Sequence, residues 1–209
     1  MMESLQAHFR DLRTFRKEQL GRLPLWTAIG FFLAALGMFA LCMANREATE
    51  SLVGAITSMM TDSGAIDSSG SISFFGVLLN NWFAMLFCVL YGFLPFLFLP
   101  VLAILSNGAV LGILAAWYVI QGIPFSVYVT AILPHGIFEL PALFFAVSLG
   151  IALCRNLVRI ITKSPRAMPM VAFLTGALQT MLLLIFPLVL IAAVVETWVT
   201  PALLTLLFV

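Results

Sequence analysis

His135 and Glu139 stand four residues apart in the segment Leu133-Pro134-His135-Gly136-Ile137-Phe138-Glu139-Leu140-Pro141. On a helix, that spacing puts an imidazole and a carboxylate on one face. From Ser68 to Cys154, 87 residues, they are the only side chains of the Asp, Glu, His, Lys or Arg type. A further acid, Glu196, interrupts the last apolar stretch at Val194-Val195-Glu196-Thr197-Trp198. An ionisable group at the centre of a bilayer costs roughly 3 kcal/mol, so such residues face a partner or a water-filled cavity.

Three chemistries are open to this set. One imidazole and two carboxylates offer donors that suit zinc or another divalent first-row metal with an open position. A metal-dependent intramembrane hydrolase would then use His135 as ligand and Glu139 or Glu196 as general base. Alternatively, the three groups could relay protons in a proton-coupled transporter, although no internal repeat of the transporter kind is visible. The third option is a structural knot tying two spans together. A protease-type nucleophile and base cannot be assembled, because His8 lies in the N-terminal segment and His135 has no serine or cysteine in a local catalytic signature.

The elements that must position these residues are membrane helices. Hydrophobic residues make up 63% of the 209-residue chain and charged ones 9%, whereas a soluble domain carries about a quarter charged residues. The chain reads as an all-α polytopic membrane protein, with nucleic-acid binding excluded by its few basic residues, which flank apolar runs. Cys42, Cys88 and Cys154 are odd in number, widely spaced and apolar in setting, so they read as packing residues rather than disulfides or metal ligands. Residues 1–23 are too polar for a cleavable signal peptide, and the apolar run that follows is long enough to span.

Charge sets the number of crossings. Arg10, Arg13, Arg16, Lys17 and Arg22 form one basic cluster, and Arg155, Arg159, Lys163 and Arg166 a second. The positive-inside rule places both clusters on the cytoplasmic side. The apolar run from 74 to 154 is too long for one crossing of about 20 residues and must cross an odd number of times. Five spans follow, near 24–44, 74–98, 100–120, 126–154 and 169–195, with the N-terminus inside and the C-terminus outside. Residues 45–73 become an extracytoplasmic acidic loop holding a short amphipathic helix over 52–60, and 155–168 a cytoplasmic loop. The stretch from Gln6 to Leu20 has an apolar stripe suited to lying on the membrane surface, in contact with membrane lipids. Pro134 and Pro141 bracket the His-Glu segment, which predicts a fourth span broken near Pro134. The tail 200–209 is too short to span alone and is expected in the outer interface or re-entering.

Other polar and small residues inside the spans predict helix contacts. Asn80, Asn81 and Asn107 need hydrogen-bond partners in a bilayer. Gly108 and Gly112 form a small-xxx-small pair that favours close helix approach within the chain or across a homo-oligomer.

The ordered combination of Asn80-Asn81, Asn107-Gly108 with Gly112, Pro134-His135-Gly136-x-x-Glu139-Leu140-Pro141-Ala142, and Glu196 followed by Thr200-Pro201 resembles the stage II sporulation protein M family. The resemblance runs from the first span to the tail. It implies a scaffold in the bacterial cytoplasmic membrane that holds peptidoglycan-cleaving partners, stage II sporulation proteins D and P, during engulfment. Many relatives occur in organisms that do not sporulate, so the resemblance speaks to fold more than to biological role.

Overall fold

The computed structural model describes residues 12–62 and 72–208. Those residues fold into α1 (Leu23–Ala44), α2 (Arg46–Asp62), α3 (Phe74–Leu90, prolonged by a 3-10 turn to Phe93), α4 (Pro100–Ile120), α5 (Phe125–Ile161) and α6 (Met170–Phe208). All but α2 are long and apolar enough to cross a membrane, which makes five spans.

Short polar signals start and stop these helices. Pro24 and Pro100 sit in the first turns of α1 and α4, where a missing amide donor costs nothing. Ser73 accepts from the Gly76 amide at 3.2 Å and caps α3. Between α3 and α4 the chain reverses over 94–99, with Phe96 and Phe98 both at positive φ, 71° and 47°, a conformation non-glycine residues adopt only under local constraint.

The loop after α1 is more ordered than a 52–60 helix would make it. Asn45 is extended, and its Oδ1 accepts from the Ala48 amide at 3.0 Å. That cap launches α2, 17 residues long. Thr49 is fully buried and its hydroxyl donates to the Cys42 and Asn45 carbonyls, at 2.9 and 2.8 Å. Val53 and Ile56 then pack on Met38, Phe39, Ile113 and Ala116, so α2 is clamped onto the α1–α4 pair. The small-residue stretch Asp67 to Ser71 lies outside the described residues.

Along α4, the buried Gly108 and Gly112 face α1. A Cβ on Gly112 would run into the Ala35 carbonyl oxygen and the Phe39 nitrogen, and one on Gly108 into the Phe31 carbonyl oxygen. The small-residue pair is thus used inside the chain, where it lets two backbones touch.

α5 is the central helix, with 56% of its most apolar window buried against at most 33% in the other spans. The expected break near Pro134 does not occur: α5 runs as one 37-residue helix with both Pro134 and Pro141 inside it. Each proline withdraws a single amide donor, from the Thr130 and Ile137 carbonyls respectively. The flanking turns keep their bonds, and packing against α1, α3, α4 and α6 holds the rod together. α6 likewise continues past Val195 to Phe208 rather than ending before a separate tail.

The described residues of both basic clusters lie at one end of the bundle. The Arg155 guanidinium donates to the Gln19 carbonyl, and the Phe15 ring meets Phe173 edge-on at 5.4 Å. The N-terminal segment therefore docks where α5 ends and α6 begins. Its described part, from Leu12, is helical and closes in a π-helical turn, Arg16–Leu20, while the expected helix over residues 6–11 lies outside the described residues.

Candidate functional site

α5 and α6 form an antiparallel pair, and the polar residues sit on its seam. On α5 the fully buried Ala142, Ala146, Leu149 and Leu153 mark one face. Stepping back along that line from Ala142 by three residues gives Glu139, and by four more His135, so the two belong to the packed face. On α6 the stripe is Ile185, Val189, Ala192 and Ala193, all fully buried, and its next member is Glu196. Alanines on both helices permit a close approach.

Glu196 does not stand in a regular helix. It lies in a π-helical turn, Val195–Val199, in which one extra residue widens the turn and redirects the side chains; such turns gather at functional sites. α3 covers this turn from the end of the bundle opposite the basic residues of α5. Phe74 stacks on Trp198 at 5.0 Å, Val77 packs with Ala193, and Trp82 meets Phe186 edge-on at 5.1 Å.

The result is that His135, Glu139 and Glu196 each present a donor atom within 4.8 Å of the other two. All three side chains are half-buried. Counted from Phe125, the first residue of α5, His135 lies about 15 Å along the helix, half the roughly 30 Å thickness of a hydrocarbon core. No hydrogen bond or ion pair joins the three; the one ion pair among the described residues is the exposed Arg46–Glu50, at 3.0 Å. His135 Nδ1 is buried without a partner, and so are the hydroxyls of Thr197 and Thr200. An imidazole and two carboxylates converging from two helices can ligate a divalent metal or share protons.

The remaining predicted residues are placed elsewhere. Gly108 and Gly112 serve the α1–α4 contact. Asn107 is exposed on α4 and satisfies itself on its own helix, Nδ2 donating to the Ala103 carbonyl at 2.9 Å. Asn80 is exposed and Asn81 half-buried on α3, and among the described residues no hydrogen bond connects either to the His-Glu cluster.

Sequence reasoning named Thr200 only as part of the family pattern and did not place it at the cluster, although it follows Glu196 by about one helical turn, the spacing that signals a shared face. It missed Asn156, fully buried, whose amide donates to the Met168 carbonyl at 3.0 Å while its oxygen accepts from the Met168 amide at 2.9 Å. Asn156 sits beside Arg155 in a stretch that reads as a cytoplasmic basic cluster.

One family model, that of stage II sporulation protein M, matches residues 28–201. The chain belongs to the stage II sporulation protein M family. The match runs from within α1 to within α6, taking in all of α3, α4 and α5, so His135, Glu139 and Glu196 lie inside the matched region. No curated protein and no solved structure matches the chain significantly.

Proposed function

We propose that this member of the stage II sporulation protein M family is an integral membrane scaffold of the bacterial cytoplasmic membrane. It organises peptidoglycan-remodelling partners, cell-wall hydrolases of the stage II sporulation D and P type, on the outer face. Family membership prompts the choice of partner class, and the observation that carries the reading is α2. This amphipathic helix is pinned by Thr49, Val53 and Ile56 to the end of the bundle opposite the basic clusters. It leaves Leu52 and Met59 exposed on a rigid support. An ordered helix with an uncovered apolar edge is suited to docking a partner, because little freedom is lost on binding.

The test is capture of a purified D-type or P-type hydrolase domain by the protein in lipid nanodiscs. Leu52→Glu with Met59→Glu changes only exposed positions, so the bundle should keep its melting midpoint while capture falls at least about tenfold, the loss of a central apolar anchor. Capture unchanged by this pair, or absent in the wild type, overturns the reading. Self-association through Gly108 and Gly112 is not part of it, since α1 already occupies that face.

A further inference from the structure

We propose that His135, Glu139 and Glu196 bind one divalent first-row metal ion, zinc by preference, which staples α5 to α6 at mid-membrane. This goes beyond the scaffold reading and stands or falls separately from it.

Charge balance is the first argument. No lysine or arginine occurs between Ser68 and Cys154 or between Ala167 and Phe208. Two carboxylates therefore meet inside the bundle with no basic side chain from either stretch to neutralise them. A single divalent cation cancels two carboxylate charges, and a neutral imidazole completes the set without adding any. Uncompensated charge at this depth is among the costliest arrangements a membrane protein can hold.

Geometry is the second. A knot made of the three side chains alone would draw them into hydrogen bonds of about 2.8 Å. Here they stand within 4.8 Å of one another and do not bond. Donors around a tetrahedral zinc lie about 3.4 Å apart, given metal–ligand distances near 2.1 Å. Small rotations of two glutamate side chains, each with three free torsions, close that difference.

The third argument is the set of unpartnered atoms. Five buried side-chain atoms among the described residues lack a hydrogen-bond partner. Three of them are His135 Nδ1 and the hydroxyls of Thr197 and Thr200, all at or within one turn of the cluster. Thr200 is 5% exposed, so its hydroxyl has no route to bulk water. A bound cation uses the imidazole nitrogen directly, and its remaining positions accept a water that the threonine hydroxyls can hold.

The nitrogen donor disfavours magnesium and calcium, which take oxygen ligands, and the small ligand number favours zinc over manganese.

The experiment is elemental analysis of the full chain, purified in detergent through a tag that does not chelate metals. Wild type is compared with Glu139→Gln, Glu196→Gln and His135→Ala. About one metal ion per wild-type chain is expected, with each variant holding less than about a tenth of that. Adding zinc to chelator-treated wild type should raise its melting midpoint by several degrees, and should not do so in the glutamine variants. The wild-type zinc response needs no variant to fold. A metal-free wild type with no response to zinc overturns the proposal, as does an ion retained by all three variants. Failure here leaves partner capture through α2 unaffected, so the two readings fail separately.

Discussion

Glu139 on α5 and Glu196 on α6 bring carboxylate oxygens within 4.8 Å of each other, although 57 positions of sequence separate them. A one-turn slip between the helices would part them by about 5.4 Å. The pair therefore reports the register of the two longest helices, and any chemistry at the centre depends on that register.

Coupling between the two acids follows. Residues in one cluster give non-additive effects, whereas distant sites add. Glu139→Gln and Glu196→Gln should each lower unfolding stability, and the double variant should lose less than the sum by about 0.6 kcal/mol or more. The measurement is a double-mutant cycle by denaturant titration in mixed micelles. Strict additivity would mean that the carboxylates do not sense each other.

Gly112 carries the tightest requirement on α4. Leucine there must displace the Ala35 carbonyl and the Phe39 nitrogen, both backbone atoms that cannot swing aside. Overpacking of this kind costs about 1–3 kcal/mol. Gly37 on α1 has nothing within 4 Å of a Cβ position, so Gly37→Leu should be nearly neutral. Thermal unfolding of the two variants side by side checks the contrast.

Much of this arrangement was legible in the residues. Apolar runs bounded by like-signed basic clusters announced five spans, because charge cannot be left in lipid. The spacing of His135 and Glu139, with the isolation of Glu196, marked the seam, since only packing or a ligand makes such residues tolerable. The continuity of α5 was not legible. Pro134 and Pro141 each show a lost donor in the sequence, but packing on several sides comes from residues far along the chain, such as Thr27, whose hydroxyl reaches the Phe144 carbonyl at 3.4 Å. The π-helical turn around Glu196 was hidden too. Val195 to Val199 have no composition that distinguishes the turn from an ordinary helix.

Replacing the prolines tests the continuous helix. Pro134→Ala and Pro141→Ala restore amides that can bond to the Thr130 and Ile137 carbonyls, and alanine is favoured over proline by about 3 kcal/mol in a helix interior. Each variant should hold or raise the melting midpoint. A loss of several degrees in both would show that the prolines shape the bundle in a way a straight helix cannot.

The shared end of the basic clusters predicts a labelling pattern. Lys17 and Lys163 should be on the same side of the membrane, and Met59 on the other. With Cys42, Cys88 and Cys154 replaced by alanine, a single cysteine at 59 should react with a membrane-impermeant maleimide in intact cells. Cysteines at 17 or 163 should react only after lysis, as the positive-inside rule requires. The reverse pattern would invert the topology and remove α2 from the cell-wall side.

Asn156 offers the sharpest test of a single side chain. Its amide and oxygen both engage Met168, closing the turn that joins α5 to α6. Asn156→Ala leaves a buried carbonyl and amide unpaired, at about 1–3 kcal/mol. Asn156→Asp keeps the acceptor for the Met168 amide but, when ionised, sets a negative charge against the Met168 carbonyl oxygen. The aspartate variant should therefore be no more stable than the alanine one, despite being nearly isosteric, when both are compared by thermal unfolding at neutral pH. If aspartate restored wild-type stability, the donated bond to the Met168 carbonyl would carry none of the closure, and the turn would be held by the apolar contacts of Met168 and Met170 with the core instead.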